Sequence, residues 1–505
     1  MPIPSSVAEE AVAAELATVR PALAPAYDAA LRGARAAVLT RLWRALAFEP
    51  LPWVVGRETG PDGLVLLLTG GRRLEGPPPD PYATAPYVDR LLLDGRAHRG
   101  AGELVRALRV PHGEDFAAEL DSSTASLALS RAGQPPAGGE RAARTVREWE
   151  QRVVDGHPYH PNCRSRPGFS VAEQLAYAPE HRPVVDLGLV SVRAGECLVT
   201  GDWPERLRDA GGRVLLPVHP WQAAHVLKHE RVAAGFSAHP LMALRTLAPV
   251  DGGPHVKTAL NARLTSSVRD ISVYSVETAA ALSAFAEGLA KRLDGRLHIT
   301  RTLGAATAHS PDLAAVLREP PEAYADAAAG EQVLPVAALA CYPPARSAAW
   351  RARFARLALS VCLRVLELGV ALEAHGQNLL VVLSPDGEPL RLVYRDLADI
   401  RISPDRLRAH GLPVPPLSGR LVTDDVTVLR RKLFGSLLTG ALGATAGSAG
   451  AFAEAFAEAT ALPATADTAS LLTRPLPTKA LTLMRLSPAV PGDQWTELPN
   501  PLSGG

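Results

Sequence analysis

The sequence predicts an α+β chain of more than one domain, and three observations carry that expectation. Apolar residues recur at three- and four-residue spacing over 5–48, and a second long helix is expected over 348–373. Short apolar runs between turns, Val184–Val192 and Val214–Val218, read as strands. The runs Leu379–Leu383 and Leu390–Tyr394 flank Ser384-Pro385-Asp386-Gly387 and read as a β-hairpin fed by the helix before it. At 505 residues the chain exceeds what one core organises. The expected division is 1–150, mostly helical with a strand at Leu64–Leu68; 151–345, mixed α/β; and 346–505, the helix, the hairpin and helices near 424–442 and 449–461. Residues 83–150 read as largely helical, broken at Gly133–Gly139. Pro77-Pro78-Pro79-Asp80-Pro81 and Tyr342-Pro343-Pro344-Ala345 interrupt the chain.

The formal net charge is +1, from 53 basic and 52 acidic side chains, without the basic excess of a nucleic-acid or membrane-surface binder. Cys163, Cys197, Cys341 and Cys362 form no C-x-x-C pair, so neither a zinc site nor a disulfide framework is expected, and a reducing cytoplasm fits. No basic n-region followed by an apolar core opens the chain, so no signal peptide is expected. The apolar stretch 354–375 carries Arg356, Arg364, Glu367 and Glu373, which argues against a membrane span.

Three clusters bear chemistry. The first is Glu373-Ala374-His375-Gly376-Gln377-Asn378, followed by Tyr394-Arg395-Asp396 across the hairpin. Two carboxylates and a carboxamide brought together suit Mg²⁺, a hard cation shared between protein oxygens and nucleotide phosphates. A capped helix before an ordinary hairpin is the alternative. The second is Gly156-His157-Pro158-Tyr159-His160-Pro161-Asn162-Cys163-Arg164-Ser165-Arg166-Pro167-Gly168-Phe169. Its His-Pro pairs stiffen the backbone, and its guanidiniums offer forks that match phosphate or carboxylate oxygens. A zinc reading of His157 and His160 lacks a carboxylate or cysteine at zinc-like spacing. The third is Arg245-Thr246, then Lys257 to Asn261 as a strand and Thr265 as the N-cap of a helix that carries Arg269 one turn on. A capped surface helix with solvated charges is the alternative. Pro217-Val218-His219-Pro220-Trp221-Gln222 reads as scaffold beside the site. No P-loop, Rossmann glycine pattern or G-x-S-x-G elbow is present.

In order and spacing these blocks resemble the NRPS-independent siderophore synthetases of the aerobactin-synthetase (IucA/IucC-like) type over about 150–505, with Lys479-Ala480-Leu481, Met484-Arg485-Leu486 and Asn500-Pro501-Leu502 also family-like. The resemblance implies a three-part cupped hand of thumb, fingers and a kinase-like palm, and a homodimer. It implies ATP- and Mg²⁺-dependent adenylation of citrate or a citrate-like acid, with capture of the acyl adenylate by an amine or hydroxyl. By motif, Lys257, Arg269, His160 and Arg245 are implied as triphosphate ligands, and Arg164 as a further nucleotide contact. Thr265 and His375 are implied against the acid, with His160 and Arg269 shared. Glu373, Asn378 and Asp396 are implied as metal ligands, with Gln377 against the nucleotide. Arg164 stands where the family has Lys, Ala243 where Ser is common, and Arg395-Asp396 continues as Leu-Ala-Asp. The rival readings are a small-molecule kinase and a non-catalytic carboxylate or siderophore binder. No H-x-D or H-R-D motif precedes Asn378, which argues against the kinase.

Overall fold

The computed structural model describes residues 5–60, 62–135, 142–228, 231–264, 267–457 and 462–503. Ser6 caps the first helix, Val7–Val19, by accepting the Glu9 amide. The helix Ala24–Phe48 buries Leu31, Val38, Leu42 and Trp43 against the helix Gly113–Ala132. Beside them lies a five-stranded antiparallel meander: Val54–Gly60, Gly63–Leu68, Arg73–Gly76, Leu91–Leu93 and Arg96–His98. Residues 83–150 are therefore less helical than expected. Asp94 (φ 52°) and Gly95 (φ 80°) make the tight turn that closes the last hairpin, and an Asp-Gly pair between short apolar runs favours that geometry.

The middle region forms an eight-stranded antiparallel sheet. Its order is Leu198–Gly201, Thr302–Ser310, Leu313–Arg318, His255–Thr258, Thr246–Pro249, Val232–Pro240, Val185–Val192 and Val214–Val218. The strand that carries Lys257 ends at Thr258, and Leu260–Leu264 then folds back as a hairpin on Ser267–Arg269. Arg269 thus lies on a strand and not one turn into a helix, because ladder pairing with Leu260 satisfies its backbone. The next helix starts at Val273, where Ser272 accepts the Ser275 amide. Thr265, the expected N-cap, lies outside the described residues.

The hairpin Leu379–Leu383/Pro389–Tyr394 forms as expected. Leu297–Ile299 extends it in parallel on one side and Gln332–Pro335 antiparallel on the other, so this sheet draws two strands from before residue 346. The helix Ala348–Glu367 stops short of the expected 373. Gly369 has φ +111°, and a Cβ there would meet Leu407 N and Ser403 O at 3.0 Å, so the close approach of that backbone ends the helix. Glu373 follows the short strand Val370–Ala371 and sits in a loop, not on a helix tail. Near the C-terminus, Leu476–Lys479 pairs with Trp495–Leu498. Ala480, Leu483 and Leu486 join the N-terminal core. No helix among the described residues is long and apolar enough to cross a membrane, and no disulfide joins the cysteines.

Glu49 ties the two ends of the chain together by accepting the amides of Thr482 (3.2 Å) and Leu483 (2.7 Å). Burial pushes its carboxyl up to about 7, against the pull of those amides and of Arg44. A raised folded pKa favours the protonated acid. Its contribution to stability is full below the ordinary 4.5 and is lost as pH rises through about 7. Between about pH 5 and about pH 8 the Tm of the native chain is therefore expected to fall relative to that of Glu49→Gln. Parallel Tm curves for the two proteins would contradict this.

Candidate active site

The 157–168 loop is anchored from beneath. Ser123 donates to the Pro161 carbonyl at 3.0 Å and accepts the Arg164 amide at 3.2 Å. Arg164 and Arg166 both turn onto Glu180, at 3.4 Å and 2.5 Å, and Ser130 donates to the same carboxylate at 2.6 Å. Arg164 Nη2 also donates to the carbonyls of Val153 (2.6 Å) and Val154. The anion these guanidiniums meet is thus internal. Arg164 is drawn away from the nucleotide role its motif implied, because a fully buried carboxylate demands the cations. Despite its burial, the charges of Arg164 and Arg166 hold Glu180 well below the usual carboxylate range.

Above this support the loop presents imidazoles. The His157 and His160 ring centroids lie 6.1 Å apart. Both rings are held well below the ordinary histidine value, His160 at about 3, first by burial and then by neighbouring positive charge. His157 feels His160 and His375, and His160 feels Arg41 and Arg269, which places the loop beside the third and first clusters. His219 caps the helix Pro220–His225 by accepting the Trp221 amide, and Trp221 stacks on Phe169 at 5.0 Å.

Lys257 and Asp396 meet across the molecule. The ammonium donates to Asp396 Oδ2 at 2.7 Å, and Arg318 donates to Oδ1 at 2.9 Å. Burial would raise the Asp396 carboxyl, but Arg318 and Lys257 outweigh it and hold the group well below its usual range. Burial pulls Lys257 down to about 7; Asp396 opposes this, and Arg318 and Arg245 add to it. Asp396 adopts φ +72°, a left-handed conformation that costs about 1–3 kcal/mol for such a residue and aims its carboxylate at the cations. Tyr394 stabilises the turn: its hydroxyl donates to the Asp396 carbonyl (3.3 Å) and accepts the Glu373 amide (3.2 Å).

Arg245 donates to the carbonyls of Arg269 and Asp270 at 2.5 Å each, and so fixes the strand that bears Arg269. Burial lowers both guanidiniums, Arg245 to about 10, while Asp396 acts on each in the opposite sense. Glu373 faces a second cationic group. Lys432 lies 3.1 Å from its Oε1 and 2.7 Å from Asp399, Lys479 lies 3.9 Å from Oε1, and His375 Nε2 lies 3.9 Å from Oε2. Asn378 donates to the Glu373 carbonyl at 3.3 Å.

Between the eight-stranded sheet and the hairpin lies a cavity bordered by Ala243, Arg318, Gln377, Asn378, Arg395 and Asp396. Arg395 pairs with the buried Glu150 at 2.7 Å and donates to the Gln377 carbonyl at 3.0 Å, which shapes one wall. The structure thus joins Asp396, Asn378 and Gln377 at the cavity, with Lys257 bonded to Asp396 and with Arg245, Arg269, His160, Glu373 and His375 electrostatically linked around it. Sequence reasoning missed Arg318, Lys432 and Glu150. Arg318 ends an apolar run directly before Glu319-Pro320, which marks a strand end, but only the register His255↔Arg318 brings it beside Lys257.

The IucA / IucC family model matches residues 145–341, and that of the ferric iron reductase FhuF-like transporter matches 348–451. The chain is 26% identical over 314 residues to a citryl-spermidine/3,4-dihydroxybenzoyl-citryl-spermidine:spermidine ligase of Bacillus anthracis, covering 49% of this chain and 50% of that protein. It spans about half the length of the curated relatives it matches. Among solved structures, the petrobactin biosynthesis protein AsbB of Bacillus anthracis str. Sterne superposes with a TM-score of 0.77 at 18% identity, over 99% of this chain and 98% of that one. ATP-bound aerobactin synthetase IucA of Klebsiella pneumoniae gives 0.72 at 20% identity, over 93% and 99%. These two likenesses establish a shared mixed α+β fold. Segment 145–341 matches the IucA / IucC family model, and the chain is similar to siderophore synthetases in sequence and in fold.

Proposed function

We propose that the chain is an ATP-dependent ligase that adenylates citrate or a citrate-like acid and condenses the acyl adenylate with an amine or hydroxyl. The observation that carries this reading is the convergence of Lys257 and Arg318 on Asp396 at the rim of a cavity also bordered by Asn378 and Gln377. The IucA relative is an aerobactin synthetase that binds ATP, and the relative from Bacillus anthracis is a citryl-spermidine ligase, which supports the same chemistry here.

Attack of a carboxylate on an α-phosphate brings anions together. Lys257, Arg245, Arg269 and Arg318 offset that repulsion and stabilise the charge that builds on the phosphate. Gln377 lies against the nucleotide. The acid's contacts are His375 and His160, with Thr265 assigned by motif alone, and Arg164 acts through the loop it holds. Glu373, Asn378 and Asp396 fit Mg²⁺: they are oxygen donors only, and a carboxylate oxygen paired with a cation keeps lone pairs for a metal. When bound, the ion neutralises phosphate charge. In this reading 1–150 is the thumb, the eight-stranded sheet belongs to the fingers, and the hairpin sheet is the palm. The protein works as a cytoplasmic homodimer.

The test is ATP–pyrophosphate exchange with citrate, succinate, 2-oxoglutarate and their monoamides. Acid-dependent exchange with at least one is expected, and silence across all of them would contradict the reading.

A further inference from the structure

Two separate stretches of chain wall the cavity. On one side stand Leu241 and Ala243, in the turn that leads into Arg245. On the other stand Gln377 and Asn378, with Arg395 and Asp396 beyond the second hairpin strand. The first wall is a strained turn. Leu244 adopts φ +62°, the left-handed region that a bulky apolar residue avoids. The Leu241 carbonyl accepts the Leu244 amide at 2.8 Å, and the Ala243 carbonyl accepts the Arg245 amide at 2.7 Å. The Met242 amide instead donates to a side chain, Oε2 of Glu150, at 2.6 Å. Such a conformation persists only where its surroundings hold it, and a carboxylate on a backbone amide is a strong hold.

Glu150 belongs to the opposite wall. It ends the helix Val146–Glu150, which Thr145 and Glu148 start with a capping box. Val146 packs that helix on Val333, Leu380, Val382 and Val393 of the hairpin sheet. The Glu150 side chain is fully buried, and its Oε1 lies 2.7 Å from Arg395 Nη1, an ion pair outside hydrogen-bond alignment. Arg395 donates from Nε to the Gln377 carbonyl and from its amide to the Asn378 carbonyl, each at 3.0 Å. One carboxylate thus ties the turn before Arg245 to the backbone of Gln377 and Asn378.

We infer that Glu150 is a positioning residue that fixes the spacing of the two walls, and with it the fit of the nucleotide between Arg245 and Asn378. This rests on the ligase reading. A buried ion pair adds little net stability over an apolar pair of the same volume, and its best-attested use is to set register. Glu150 sets the register of one wall against the other.

The test measures MgATP affinity of the full chain by calorimetry, without acid or amine. Glu150→Gln is expected to weaken binding about tenfold or more. A carboxamide has one accepting and one donating end, so it keeps the Met242 amide only by turning its NH₂ onto Arg395. Arg395→Gln is expected to weaken binding on the same scale, since the Glu150 carboxylate is then buried without its cation. The double variant restores an unbroken chain of donors and acceptors. The carbonyl introduced at 150 accepts the Met242 amide, and its NH₂ donates to the carbonyl introduced at 395. The NH₂ introduced at 395 stands where the guanidinium has Nε and donates to Gln377. This variant is expected to bind MgATP more tightly than either single variant. In an Arg245→Ala background, Glu150→Gln is expected to cost a smaller factor, because its route through the turn is already cut. A general loss of fold would cost the same factor in both backgrounds. Native affinity in Glu150→Gln, losses that add in the double variant, or an undiminished loss in the Arg245→Ala background would each overturn the inference and leave the ligase reading standing. Absence of MgATP binding by the native chain would overturn both.

Discussion

Asp396→Asn is expected to lower acid-dependent pyrophosphate exchange at least about a hundredfold, the scale of losing one electrostatic stabiliser. The substitution keeps the shape and tolerates the left-handed backbone at φ +72°, so the loss reports charge and not strain. Without the carboxylate, Lys257 and Arg318 face each other with no anion between them. Lys257, already lowered to about 7 by burial, then shifts further toward the neutral amine. Lys257→Ala and Arg269→Ala are expected to lose activity on the same scale. A fall of less than about tenfold in Asp396→Asn would place the chemistry elsewhere.

The largest expected effect on stability lies away from the cavity. Glu180→Ala leaves Arg164 and Arg166 buried with no carboxylate between them. Removing one member of such a buried group costs about 3–5 kcal/mol, because the remaining charges are uncompensated. Denaturant midpoints of native and variant protein measure this. A loss below about 1 kcal/mol would show that water or other groups satisfy the two guanidiniums.

How far the site was legible depends on whether each residue's role is local. The hairpin was legible because Ser384-Pro385-Asp386-Gly387 specifies a turn and the flanking runs specify strands. His160, Lys257, Asn378 and Asp396 were legible because their residue types in that order match a known pattern. Arg318 was not, since its partnership with Asp396 depends on cross-strand register between segments some sixty residues apart in sequence. Arg164 kept the charge the motif calls for, yet Glu180 claims it, and no local signal in the Pro179–His181 turn announces a buried carboxylate. The helix reading over 348–373 overran because Gly369 ends the helix through a tertiary approach to Ser403 and Leu407. Hydroxyls followed by an arginine resemble an N-cap and predict a helix at Arg269, whereas pairing with Leu260 makes the segment a strand.

Kinase and ligase chemistry differ in which phosphate is attacked, so the nucleotide products separate them directly. With citrate-like acid, amine and ATP supplied to the purified chain, AMP and pyrophosphate in step with amide are expected. ADP and inorganic phosphate, or ADP with a phosphorylated acid, would contradict an adenylating site built on Lys257, Arg318 and Asp396.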